Sequence, residues 1–154
     1  MNFSVHGHQN GLELVPSERQ QEISAAIAAT AHPVRKHAAA AIRDEFLVAM
    51  LQAGWSDPVA VQPEVSDISI TSKKGGTGLC LQVAGNMSRL YADLLKMQAM
   101  YLDSGLSSAA FVLPSREMAK VFGKNVAQAD RLIRELQVFR KVITIPLVIY
   151  TLDT

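Results

Sequence analysis

The chain has 154 residues, the length of one ordinary domain with a real core, and a second folded domain is not expected. Hydrophobic residues make up 49% and charged residues 19%, which excludes a disordered chain, and a net charge of +1 excludes attraction to nucleic acid or acidic membranes through overall charge alone. The single cysteine, Cys80, excludes an internal disulfide and fits a reducing, cytoplasmic setting.

Along the chain, residues 1–16 mix an apolar triplet with His6, His8, Asn10 and Gly11, and they read as a flexible arm or a short strand ending at Pro16. The beginning MNFSVHGHQNG has no basic start followed by an apolar stretch, so a secretory leader is not expected. Residues 17–154 read as one domain. Ser17, Glu18 and Gln20 form a cap ahead of a helix in which Ile23 and Ile27 lie one turn apart. Its alanine-rich run from Ala25 to Ala31 stops at His32-Pro33, short of the ~18 residues that a membrane span needs, and no membrane partner is expected. From Pro33, Ala38, Ile42, Phe46, Met50 and Leu51 recur at helical steps up to Gly54, with Arg43, Asp44 and Glu45 on the more polar side. Trp55-Ser-Asp-Pro58 breaks this helix, and Val59 to Val61 can form a short strand.

Asp67-Ile-Ser-Ile-Thr71 and Leu79-Cys-Leu-Gln-Val83 alternate on either side of Ser72-Lys-Lys-Gly-Gly-Thr-Gly78, which predicts a β-hairpin turning on Gly75-Gly76. In that register Ile70 faces Leu81, Ser69 faces Gln82 and Asp67 faces Ala84. Asp67, Ser69, Thr71, Cys80 and Gln82 would line one face, and Ile68, Ile70, Leu79, Leu81 and Val83 would pack on the other. Ser88 to Leu102 has helical spacing, with Leu90, Leu94, Met97 and Met100 inward and Arg89, Asp93 and Lys96 toward solvent, closing at Gly105. Ala109 to Pro114 reads as a buried strand, followed by helices over 115–122 and about 126–140 and a last strand over 143–152. This order predicts an α/β fold with a mixed central sheet flanked by helices.

The string Gly78-Leu-Cys-Leu-Gln-Val-Ala-Gly-Asn86, then Arg89, Asp93-Leu-Leu-Lys96, Tyr101, Gly105 and Ala110-Phe-Val-Leu-Pro114, resembles the core of the PD-(D/E)xK type II restriction endonucleases of the BamHI and BglII kind. Gly54-Trp55 and Ile145-Pro-Leu-Val-Ile149 resemble them too, so the likeness spans roughly residues 38–152. It implies a restriction endonuclease-like fold, double-stranded DNA as partner, a homodimer suited to two-fold sites, and Mg²⁺ as cofactor where hydrolysis is retained. Phosphodiester cleavage of this kind needs carboxylates to hold the ion beside the scissile phosphate.

At this motif the chain departs from the family. Cys80 stands where the family has a strand glutamate, and a thiol is a poor ligand for a hard cation. Gln82 matches the glutamine variant of the third position. The first acid falls on Ser69 or on Asp67, and Glu45 can add a helical acid. The candidate catalytic set is Asp67, Gln82 and Glu45, with Asp67 and Glu45 as metal ligands; Asp67 also fits a solvated edge residue. Lys73, Lys74 and Arg89 are the leading candidates for DNA contact, and Arg35-Lys36, Arg131, Arg134, Arg140 and Lys141 fit either phosphate contacts or solvated faces. Cys80 as a nucleophile lacks a basic neighbour, because no histidine follows His37, and His6 with His8 make at most one edge of a metal site. Two functions therefore follow: a nuclease-like DNA-binding protein whose hydrolysis is in doubt, or a non-catalytic binding or assembly protein on the same scaffold.

Overall fold

The run from Ser108 to Pro114 is buried at every position, which requires a strand covered on both faces. The computed structural model, which describes residues 1–154, places it at the centre of a five-stranded sheet. The elements are β1 (Asn2–His8), α1 (Gly11–Leu14), α2 (Ser17–Ala29), α3 (Ala39–Gln52), β2 (Val59–Gln62), β3 (Ser66–Ile70) and β4 (Ser72–Lys74). They continue with β5 (Thr77–Leu81), α4 (Met87–Leu102), β6 (Ser108–Pro114), α5 (Arg116–Phe122), α6 (Ala129–Val138) and β7 (Leu147–Asp153). The sheet order is β1-β7-β6-β5-β4, with β5, β6 and β7 parallel and the two edge strands antiparallel to their neighbours.

Side chains alternate across these strands, so β6 sends Ala109, Phe111 and Leu113 to one face and Ala110 and Val112 to the other. The first set packs with Leu90, Leu94 and Met97 of α4 and Leu132 and Leu136 of α6. The second packs with Ile23 and Ile27 of α2 and Ile42, Phe46 and Met50 of α3. The mixed sheet flanked by helices expected from the sequence is the fold observed. No helix is long and apolar enough to cross a membrane.

Of the arm and the short strand that the sequence leaves open for residues 1–16, residues 2–8 form the strand, paired along their whole length with β7 from Asn2↔Asp153 to His8↔Leu147. The hairpin has the expected register, with Ser72↔Leu79 and Lys74↔Thr77 closing on Gly75-Gly76, but it is shorter than expected. Past Ser72 the chain leaves β5: Thr71 Oγ1 accepts the Leu81 N–H, and β3 pairs instead with β2, as Val59↔Ile70 and Ala60↔Ser69. The expected faces change with it. Ile70 lies with Cys80 in the core on the α4 side, opposite Leu79, Leu81 and Val83, and Ile68 is exposed. Two boundaries also move inward. The helix expected from Pro33 starts at Ala39, after His37 adopts a left-handed φ of 68°, and the last strand starts after Pro146, which has no N–H to donate.

Candidate nucleic-acid cleft

The parallel strands end on one side of the sheet, where open α/β sheets place their ligands. After β5 the chain continues extended to Gln82, whose N–H reaches Val112 O at 3.1 Å, and then turns through Gly85 into α4. A Cβ on Gly85 would lie 1.9 Å from Gln82 Oε1, so glycine lets the Gln82 side chain fold back over the turn. Asn86 caps α4 by accepting the Arg89 N–H at 3.0 Å. Arg89, Asp93 and Lys96 then follow at four- and three-residue steps, which puts them on one side of the helix facing the end of β5.

Asp93 is the hub of this side. Its Oδ2 accepts from the Gln82 amide and, at 3.3 Å, from the Cys80 thiol, while Oδ1 accepts from Lys96 Nζ at 2.8 Å. Asp93 is only 9% exposed. Burial pushes the Cys80 thiol well above its ordinary range, and the neighbouring Asp93 carboxylate adds to the effect, so the sulfur stays protonated and acts as a donor. Above this hub lies a cleft of about 450 Å³, lined by Arg43 of α3, Ser69 and Thr71 at the end of β3, Gln82, and the α4 residues Arg89, Asp93 and Lys96.

The donors here do not fit a divalent cation. Mg²⁺ takes oxygen ligands and its affinity rises with the number of carboxylates. Asp93 is the one carboxylate lining the cleft, and it is already occupied by an ammonium, an amide and a thiol. No group of three His, Cys, Asp or Glu side chains converges anywhere in the chain.

The structure does not bring the expected catalytic set together. Gln82 lines the cleft, but Asp67 is exposed on β3 and outside the lining, where Ser69 is found instead. Glu45 faces another way: its two oxygens accept the Ala31 and His32 N–H groups at 3.0 Å each, and these bonds hold its carboxyl below the ordinary range. It secures the irregular segment between α2 and α3. Of the expected DNA contacts, Arg89 lines the cleft, whereas Lys74 is taken up by the Glu22 carboxylate and the Ala53 carbonyl. Burial pushes Glu22 up, but hydrogen bonds from Arg19, Lys74 and Trp55 outweigh it and hold that carboxyl low. Lys73 is half-buried in the hairpin, its N–H bonded to Ser56 Oγ at 2.9 Å. His8 sits 2.7 Å from the Ile143 carbonyl, and His6 beside it has no third ligand partner.

Asp93, Lys96 and Arg43 are cleft residues that their sequence pattern assigns to solvent. One signal was available for Asp93: it follows Leu90 by three residues and precedes Met97 by four, so it lies on the apolar stripe itself.

The chain matches the family described as restriction endonuclease BglII/BglIII over residues 3–152. No curated protein matches it at a significant level. Among solved structures, restriction endonuclease BglII complexed with a DNA 16-mer superposes with a TM-score of 0.87 at 10% identity, covering 99% of this chain and 76% of the other. Free BglII gives 0.77 at 13% identity, covering 100% and 80%. The fold is thus shared with BglII far beyond what sequence identity reveals, and with the family match over nearly every residue, this chain belongs to the BglII/BglIII restriction endonuclease family.

Proposed function

We propose that this protein binds duplex DNA in the cleft at the end of β5 through its own cations and no longer hydrolyses it. The observation that carries this reading is the state of Asp93, the cleft's one carboxylate, which is neutralised by Lys96 and hydrogen-bonded by Gln82 and Cys80. With Arg43, Arg89 and Lys96 in the lining against Asp93, and Asp44 paired with Arg43 from outside it, the cleft favours a phosphate over a second cation. Hydrolysis by this family's chemistry needs the reverse, an acidic site that concentrates Mg²⁺ on the scissile phosphate. That the similar BglII structure is a DNA complex supports DNA as the ligand. Incubation with plasmid DNA and Mg²⁺ or Mn²⁺ is expected to leave the DNA uncut, and cleavage that disappears in an Asp67→Ala variant would restore the enzyme reading. A non-catalytic assembly role is the reading that remains if no salt-sensitive DNA binding is found.

A homodimer is the second part of the proposal. Leu95 and Leu102 are exposed seven residues apart on α4, and Val138 at the end of α6 and Val142 in the turn that follows it are exposed as well. Tyr91 and Phe139, with ring centroids 6.0 Å apart, bring these two helices side by side. An apolar patch of this kind on one face suits a two-fold contact. Sedimentation at micromolar concentration is expected to give the mass of two chains, reduced to one by Leu95→Glu. A single-chain mass for the unsubstituted protein would contradict it.

A further inference from the structure

We infer that a second, larger groove beside the cleft is a phosphate-binding track that carries the continuing sugar-phosphate backbone of the same duplex. This rests on the DNA-binding reading and extends it to a surface that the cleft does not include. The groove measures about 990 Å³ and lies between the first turn of α4 and the α5–α6 connection. Five cationic side chains line it, Lys36, Arg116, Lys120, Lys124 and Arg131, and no acidic side chain does. Lys120 and Arg131 have exposed salt bridges along their own helices, to Glu117 and Glu135, while Lys36, Arg116 and Lys124 have none. Together with the three cations of the cleft, eight of the chain's 15 lysines and arginines line these two depressions with Asp93 as the one acid in the lining, while Asp44, Glu117 and Glu135 pair with Arg43, Lys120 and Arg131 from outside it. A protein with a net charge of +1 therefore carries a net positive face, with Lys36, Arg89, Arg116 and Lys124 outside any salt bridge, and this segregation is what a polyanion requires.

The groove is a built feature. Its two walls are joined by the Ala127 N–H, which donates to the Gly85 carbonyl at 2.7 Å and ties the α5–α6 connection to the turn that opens α4. Asp130 accepts the Arg116 N–H at 3.0 Å and so fixes the start of α5 against the start of α6. Between them, α5 ends at Gly123, whose φ of 155° suits only glycine, and Asn125 takes a left-handed φ of 67°. Groove and cleft meet at consecutive residues, since Ser88 lines the groove and Arg89 lines the cleft. A strand whose phosphate sits over Lys96 and Arg89 can pass across the first turn of α4 into the groove without leaving positive surface. Regularly spaced phosphates, rather than one isolated anion, match two adjoining basic depressions of this size.

The test uses the whole protein and a short duplex DNA, with affinity measured between about 50 and 200 mM salt. Arg116→Glu/Lys120→Glu/Lys124→Glu is compared with the unsubstituted chain and with the cleft variant Arg89→Gln/Lys96→Gln. These groove side chains are exposed, and an unchanged melting temperature establishes that the triple variant folds; Lys36→Ala/Arg116→Ala/Lys124→Ala provides a milder form. The groove variant is expected to lose affinity by roughly a hundredfold near 100 mM salt and to lower the slope of log affinity against log salt by about two to three, with the alanine form in between. If the unsubstituted chain binds DNA, the cleft variant weakens it and the groove variants leave affinity and slope unchanged, the groove inference fails and the cleft reading stands. If the unsubstituted chain shows no salt-sensitive binding at all, both fail.

Discussion

An Asp93→Ala variant is expected to be less stable by about 2–3 kcal/mol and yet to bind duplex DNA more tightly. The stability cost follows from the three donors that converge on this carboxylate. Losing a largely buried acceptor of charge-assisted hydrogen bonds costs about 1.5–3 kcal/mol for the strongest of them. Lys96 and Gln82 can turn partly toward the cleft and recover water, which keeps the loss below that of a fully buried pair. For a chain of this size the melting temperature should fall by roughly 4–10 °C. The gain in DNA affinity has a separate origin: removing the one carboxylate that lines the cleft frees the Lys96 ammonium for phosphate beside Arg89, while Arg43 keeps its exposed pairing with Asp44. Asp93→Asn, which keeps an acceptor, should show the affinity gain with a smaller stability loss. A folded Asp93→Ala protein that loses DNA binding would mean instead that the carboxylate holds DNA through a bound cation.

Gly11→Ala should be more damaging still, with more than about 3 kcal/mol of stability lost. Gly11 is buried where α1 crosses the start of β7, and a Cβ there would lie 1.7 Å from the Leu147 carbonyl oxygen and 2.3 Å from its carbon. The clash is with backbone, so no side-chain rotation relieves it. The helix must lift, and Leu147 is also the partner of His8, so the β1 edge of the sheet loosens with it. Gly75→Ala makes the informative comparison: its φ is 56° but nothing lies within 4 Å of the added carbon, and the expected cost is only about 1 kcal/mol of backbone strain. Thermal unfolding of the two variants separates close approach from conformational freedom, and equal losses would contradict the packing of α1 on β7.

What could be read in the sequence was what depends on near neighbours. The Gly75-Gly76 turn carried its own register, the continuous apolar run of β6 carried its burial, and the stripe Leu90, Leu94, Met97 carried α4. What could not be read depends on partners far along the chain. β1 is stabilised by β7, at the other end of the chain, so its few apolar residues leave arm and short strand open and do not place it in the main sheet. The departure of β3 from the hairpin depends on β2 and on Thr71 capturing the Leu81 N–H, both invisible to alternation. The candidate site suffered from the same limit. Family likeness pointed to Gln82 and Arg89, which line the cleft, and to Cys80, which lies beneath it. Asp67 and Glu45 lie in roughly the right stretch of sequence, but neither lines the cleft, whose one carboxylate is Asp93, largely buried and paired with Lys96 as a buried charge requires.

If the cleft holds DNA with the protein's own cations, in the place where the family's chemistry calls for metal and carboxylates, then binding must be independent of added metal. Equilibrium binding to a short duplex at low ionic strength, measured once in EDTA and once in excess Mg²⁺ with the strands sized afterwards on a denaturing gel, tests this most directly. Binding in EDTA should be at least as tight as in Mg²⁺, which competes for the phosphates, and the strands should be intact in both. Binding or strand scission that appears only when Mg²⁺ is present would contradict it.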